Sequence, residues 1–273
     1  MQCTVSLAPG MPEVCRLGLA TRGNTHLKIE DVEHAIRCGV NYLNWCGHPD
    51  GLSRAVARLG EESRRQIVVA AQFEARSARD AQREFAAILG ELNTSYIDVL
   101  TLYYVELQDE WDEITAPGGA WEYLAEQKRK GRLKLIGLTS HQRSRAARWA
   151  ETMKLDLLMI RYNAAHRGAE RDVFPVMQDR RIPVVTFTGL RWKALLASTP
   201  EDPSGFTPPS AVECYRFCLA NPAVSVALAA PGNRSELNQD LALLDDWRTP
   251  EEGVRESLLA HGERVRRTAG EFW

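Results

Sequence analysis

The sequence lacks any uninterrupted apolar run near the ~18 residues that a membrane-spanning helix needs. It also lacks, at its start "MQCTVSLAPGMPEVCRLG", the basic stretch and long apolar run of a secretion signal, so the expected location is the cytoplasm. No charge of one sign dominates: the formal net charge is −2. That balance gives no long-range pull toward nucleic acid or an anionic membrane and points to a small-molecule partner, with the oligomeric state left open. Six cysteines are scattered without a CxxC pair, and HExxH is missing, so no metal-binding spacing stands out. Cys214 and Cys218 are one helical turn apart, which suits two small buried hydrophobes. A GxGxxG turn is absent as well: "RLGLATRGN" offers only Gly18 and Gly23. This weighs against an open, doubly wound dinucleotide-binding sheet.

What the sequence does have is alternation. Short, nearly continuous apolar runs occur at 16–21, 41–45, 66–72, 96–105, 133–140, 156–163, 182–189 and 224–231. Such runs suit parallel strands covered on both faces. Helical stretches lie between them. In "SARDAQREFAAILGEL", Ser77 is an N-cap and Ala81, Phe85, Ile88, Leu89 and Leu92 mark one face. "IEDVEHAIRCG" places Ile29, Val32, Ala35 and Ile36 on one face and stops at Gly39. Eight strand–helix repeats in 273 residues predict a single (β/α)8 barrel domain over 1–273. A long proline-rich loop at about 189–210 and a helical tail from Glu251 to Trp273 complete it.

Residues 41–51, "NYLNWCGHPDG", run from a strand into a turn that carries Asn44, Cys46, His48 and Asp50. In a barrel, such a strand-to-helix loop lies on the face where chemistry is built. His48 has the proton affinity to act as an acid or base there, or it simply binds its own loop. Tyr103 and Tyr104 should point in opposite directions, and the register turns Tyr103 to the barrel mouth. Glu106 on its loop reads as a ligand or base, or, as the leading reading, as a solvated carboxylate. Arg161, if it faces inward, needs a partner such as a substrate carboxylate or Glu106. Trp45 and Trp192 suit apolar or sugar-stacking walls, or plain core. His141, His166, Glu170 and Arg167 gather near two rim loops, and a divalent-metal site drawing its ligands from this cluster together with His48, Asp50 and Glu106 is the minor reading.

The runs "RLGLAT", "GVNYLNW", "QIVVAAQ", "YIDVLTLYY", "GRLKLIGLTSHQ", "MIRYNAAHRGAERDVFP" and "PVVTFTGLRWKALL" follow in one order and spacing. In this the chain resembles the aldo-keto reductase superfamily, from about Arg16 to about Leu243. The resemblance implies the barrel and reduction of carbonyls by a nicotinamide coenzyme. It also implies a catalytic set of Asp, Tyr, Lys and His, whose positions here hold Asn44, Pro49, Gln72 and Tyr103. Proline has no proton to give, and neutral Gln72 cannot lower a neighbour's pKa by charge. Asn44 and Gln72 are expected to form an amide pair in place of the carboxylate and ammonium.

By the same resemblance, Thr139 and Ser140 face the nicotinamide amide, Met159 replaces a glutamine, and Phe187 stacks on the ring with Thr188 beside it. Where the family grips the adenosine phosphate, "APGNRSELNQDLALL" supplies Glu236 and Asp240, with Arg234 the only cation. Two carboxylates repel a phosphate, so NAD is favoured over NADP. Three functions remain in view. The first is an oxidoreductase on a small polar carbonyl or sugar-like substrate, with His48 or Tyr103 as proton donor and His141, Arg161, Trp45 and Trp192 near the substrate. The second is a non-redox enzyme of isomerase or lyase type on the same rim. The third is a non-catalytic binding protein.

Overall fold

The computed structural model describes residues 1–21, 26–268 and 270. Gly23 and the end of the tail at Trp273 lie outside them. Two short strands, β1 (Thr4–Val5) and β2 (Val14–Cys15), pair antiparallel ahead of the barrel. Eight parallel strands then follow: β3 (Leu17–Ala20), β4 (Tyr42–Trp45), β5 (Val68–Phe73), β6 (Ile97–Leu102), β7 (Leu133–Ser140), β8 (Leu157–Arg161), β9 (Val184–Phe187) and β10 (Val224–Ala229). They close in sequence order, β10 pairing back onto β3. All eight expected strands are present, and the (β/α)8 barrel is observed.

Helices α1 (Ile29–Arg37), α2 (Gly51–Ala57), α3 (Glu61–Gln66), α4 (Ala78–Glu91), α5 (Gln108–Thr115) and α6 (Ala120–Arg129) surround its first half. Around the second half lie α7 (Arg143–Thr152), α8 (Ala169–Asp172), α9 (Phe174–Arg180), α10 (Ala211–Ala220), α11 (Arg234–Leu241) and α12 (Glu252–Thr268). Their ends follow local chemistry. The Ser77 side chain accepts the Asp80 N–H at the start of α4, and Asp50 caps α2 through the Ser53 N–H. Gly39, at φ 105°, turns the chain away after α1 in a conformation that costs other residues dearly.

Strand alternation sorts the side chains into two cores. Tyr42, Val68, Ala70, Val99, Leu135, Leu157 and Val185 point inward and fill the barrel. Leu43, Trp45, Val69, Phe73, Leu100 and Leu158 point outward beneath the helices. The β1–β2 hairpin was not legible in the sequence, because two-residue strands leave no periodicity to read. Its Leu7 and Val14 join the interior cluster and help close the barrel's N-terminal end. Cys214 and Cys218 are buried in the outer core as small hydrophobes, where desolvation pushes the Cys218 thiol up to about 12.

The 189–210 loop is tied to α12. Fully buried His261 bonds the Leu195 carbonyl through Nε2 (3.1 Å) and Asp202 through Nδ1 (3.2 Å). Burial alone would raise the Asp202 pKa, but the Thr199 N–H, Arg264 and His261 hold it at about 2. One turn of α12 lies so close to the chain that a Cβ on Gly262 would sit 2.4 Å from the Ala164 carbonyl oxygen. Gly262→Ala should therefore lower stability by about 1–3 kcal/mol through overpacking. An unchanged melting curve would mean that α12 shifts freely.

Candidate active site at the barrel mouth

A cavity of about 410 Å³ opens at the C-terminal ends of the strands. Its floor is built by inward positions of three adjacent strands and the residues that follow them. Asn44 comes from β4, Gln72 from β5, and Tyr103 from just beyond β6. Met159 and Phe187 supply one wall from β8 and β9, continued by Thr188 and Trp192. The far end is lined by Tyr215 of α10, Glu236, Gln239 and Asp240 of α11, and Lys193.

The expected amide pair between Asn44 and Gln72 is not formed. Asn44 aligns with Ala70 on β5, so Gln72 sits two residues further along that strand, an offset of about 6–7 Å along the strand in addition to the spacing between strands. The Asn44 Nδ2 instead faces the Cys46 sulfur at 3.9 Å. Its buried Oδ1 finds no hydrogen-bond partner among the described residues. A buried acceptor left in this way is costly, and a ligand donor entering the cavity would satisfy it.

Both tyrosines line the cavity, which corrects the assignment of Tyr103 alone. Strict alternation ends with β6 at Leu102, and Tyr104 takes a left-handed conformation, φ 41°. The two rings consequently stack, with centroids 4.0 Å apart. His141 packs on Tyr104 at 4.5 Å and meets Phe187 edge-on at 5.6 Å, behind the wall they form.

Other sequence candidates fall elsewhere. The His48 ring is exposed and does not line the cavity, while its backbone carbonyl accepts from the Trp45 indole at 2.7 Å. Trp45 itself, on the outward phase of β4 and 3% exposed, belongs to the outer core rather than to a substrate wall. Thr139 and Ser140 are fully buried and do not reach the cavity surface.

Arg234 turns away to α1, where it pairs with Asp31 and donates to the Glu30 carbonyl. The cation facing Glu236 is therefore Lys193, at 2.6 Å, and not Arg234. Lys193 has φ 69° and follows Arg191 and Trp192 at φ 46° and 56°, a left-handed run that carries the chain past the mouth.

Glu106 is half-buried, not solvated. Burial raises its pKa, against the lowering effect of the His141 N–H that donates to it at 2.7 Å and of the nearby Arg161 charge. The rim residues His166 and Glu170 have protein partners. His166 accepts from Arg191 at 3.1 Å, and burial together with the Arg191 and Arg161 charges lowers its pKa to about 4. Glu170 accepts from the Tyr162 hydroxyl at 2.6 Å. Among the described residues, no three His, Cys, Asp or Glu side chains converge as a metal site. Nor is any helix among them long and apolar enough to cross a membrane.

Residues 16–211 match the model of the aldo/keto reductase family, more than two thirds of the sequence. The chain belongs to the aldo/keto reductase family. Solved aldo-keto reductases share its fold. AKR11C1 from Bacillus halodurans, in its holo form, superimposes with a TM-score of 0.76 at 17% identity, covering 96% of each chain. An aldo/keto reductase from Brucella melitensis gives 0.72 at 15% identity, covering 96% of this chain and 98% of that one. A thermostable aldo-keto reductase, Tm1743, in complex with the inhibitor epalrestat gives 0.73 at 17%, over 95% and 100%. No curated protein matches the sequence. Family and fold together support an oxidoreductase, of a family that generally uses NAD(P)H.

Among the cavity residues to which the sequence reading gave no role in the site are Cys46, Tyr104, Lys193 and Tyr215. Only Cys46, inside the polar turn, carried a local signal. The others reach the cavity from a left-handed loop or from α10, placements that a sequence pattern does not encode.

Proposed function

We propose that this aldo/keto reductase reduces a small polar carbonyl compound with NADH, taking the proton from Tyr103. The observation that carries the reading is the convergence of Asn44, Gln72 and Tyr103 at the floor of the cavity beside the Phe187 wall. A nicotinamide coenzyme, when bound, supplies the hydride. Its ring end fits what is present. Phe187 offers a face for stacking, Met159 an apolar surface, and the Asn44 Oδ1 an acceptor for an amide N–H. A 2′-phosphate does not fit the far end, where Glu236 and Asp240 line the surface and Lys193 is already paired.

Within this reading, the Gln72 amide donates to the substrate oxygen and orients it. The Tyr103 hydroxyl hands its proton to that oxygen as negative charge develops. Tyr103 replaces the usual donor because His48 lies outside the cavity, and because Pro49 has no proton to give. The substrate enters past Trp192, whose exposed ring suits stacking on a sugar-like face. The six free cysteines agree with a reducing, cytoplasmic setting.

Titration of the purified protein with NADH and with NADPH, followed by heat and coenzyme fluorescence, tests the coenzyme half of this proposal. Saturable NADH binding at least tenfold tighter than NADPH is expected, corresponding to about 1.4 kcal/mol of discrimination. Binding of neither coenzyme would leave a non-redox reaction on the same floor. Tighter NADPH binding would refute the role given to Glu236 and Asp240.

A further inference from the structure

At the far end of the cavity, α11 places Glu236 and Asp240 one turn apart, on the face turned to the interior. The two carboxylates are in different situations. Glu236 is saturated: it binds Lys193 at 2.6 Å and accepts the Gly232 N–H at 2.9 Å and the Asn233 amide at 3.1 Å. The Lys193 interaction, followed by that N–H, lowers its pKa. Asp240 is 3% exposed, lines the cavity, and has no hydrogen-bond or ion-pair partner among the described residues. A carboxylate so buried is costly unless something pairs with it.

The surroundings define what that something is. Asp240 is the penultimate residue of α11, where the helix dipole presents its negative end. Among the described residues, with Lys193 balanced by Glu236, an ionised Asp240 leaves one negative charge in surplus. Tyr215, 1% exposed, supplies a neighbouring aromatic surface, and Leu196 and Ala211 add apolar lining. Surplus negative charge, helix carbonyls and an aromatic wall all favour a cation, and the apolar lining favours an organic cation over a hydrated metal ion.

We infer that this end of the cavity is a binding site for a small organic ammonium group, with Asp240 as its counter-ion and Tyr215 as its aromatic wall. The site lies at the end of the cavity to which the coenzyme proposal brings the adenosine, so an amine and the coenzyme compete for it, and probing without coenzyme separates the two. A ligand extending from the floor to this end meets the amine as a competitor. Alternatively, it carries the amine as part of its own structure.

Burial, and then the charge of Glu236, raise the Asp240 pKa to about 7, while Lys193 acts in the opposite sense. Among the described residues, the charged and titratable groups facing Asp240 are Glu236 on its own helix, Lys193 from the loop and Tyr215 from α10. Below that pH, the side chain is mostly protonated before the amine arrives and must ionise to pair with it. Binding therefore releases a proton at pH 6, and progressively less as the pH rises above 7.

Calorimetric titration of the full chain without coenzyme tests the site, using n-butylammonium chloride, n-butanol and propane-1,2-diol as probes at constant ionic strength. Saturable butylammonium binding at least tenfold tighter than that of either neutral probe is expected. Proton release at pH 6 is read from two buffers of different ionisation enthalpy. Asp240→Asn should weaken butylammonium at least tenfold while leaving butanol unchanged. Its melting curve confirms folding, and Tyr215→Phe, which keeps the ring, should bind the amine within about threefold of native. Equal affinity for butanol, tighter binding of the diol, or an Asp240→Asn variant that binds butylammonium as well as native would each overturn the inference. Because coenzyme is absent throughout, failure here and failure of the NADH proposal are separate results.

Discussion

Replacement of Tyr103 by Phe is expected to cut turnover of a carbonyl substrate by about 10²- to 10⁴-fold, the usual contribution of a positioned proton donor. The substitution removes one oxygen and keeps the ring that stacks on Tyr104 at 4.0 Å. KM and NADH affinity should therefore change little, so the loss falls on kcat. Tyr104→Phe is the control. Tyr104 also lines the cavity, but it lies beyond the strand in a left-handed turn, and its ring is held between Tyr103 and His141. Its loss should cost less than about tenfold, the scale of a lost neutral hydrogen bond. A Tyr103→Phe enzyme that turns over like native would remove Tyr103 from the chemistry. A larger defect in Tyr104→Phe would transfer the role to its neighbour. His48→Ala should leave kcat unchanged, because the exposed ring lies outside the cavity and, among the described residues, only its backbone carbonyl is bonded.

The barrel was legible because parallel strands buried on both faces leave nearly continuous apolar runs, and eight of them cannot be mistaken for noise. Individual side chains were legible only while strand alternation held. Asn44 and Gln72, located in the sequence by the family resemblance, lie within strands and on their inward phase. Alternation failed for Tyr104, where the strand had already ended. The amide pair failed for a different reason. Facing the same interior does not fix height along the barrel axis, and the β4–β5 register separates the two amides. Trp45 shows the complementary case, its outward phase being readable from Asn44 beside it. Least legible was the ion pairing around α11. Arg234 is only two residues from Glu236 in sequence yet binds Asp31, while Lys193 arrives from 43 residues away. Charge partners across a fold are set by which backbones meet, and local sequence carries little of that information.

The same α11 geometry gives a large expected effect on stability. Asp240 has a pKa of about 7 in the folded chain, against 3.8 as its ordinary value, because burial and Glu236 disfavour its charge. A carboxyl whose pKa rises on folding stabilises the protein fully below its unfolded value. That contribution declines as pH rises from about 4 and is gone above about 7. Asn cannot titrate, and the other groups are common to both chains. The stability of Asp240→Asn relative to native should therefore rise between pH 4 and pH 8 by on the order of 4 kcal/mol. Urea unfolding at both pH values measures it. A difference that stays constant with pH would mean that Asp240 pays no burial penalty and needs no partner. If the penalty is present, n-butylammonium at pH 8 should recover part of it in native protein and none in the Asn variant. The amine pairs with a charge that only the native chain carries.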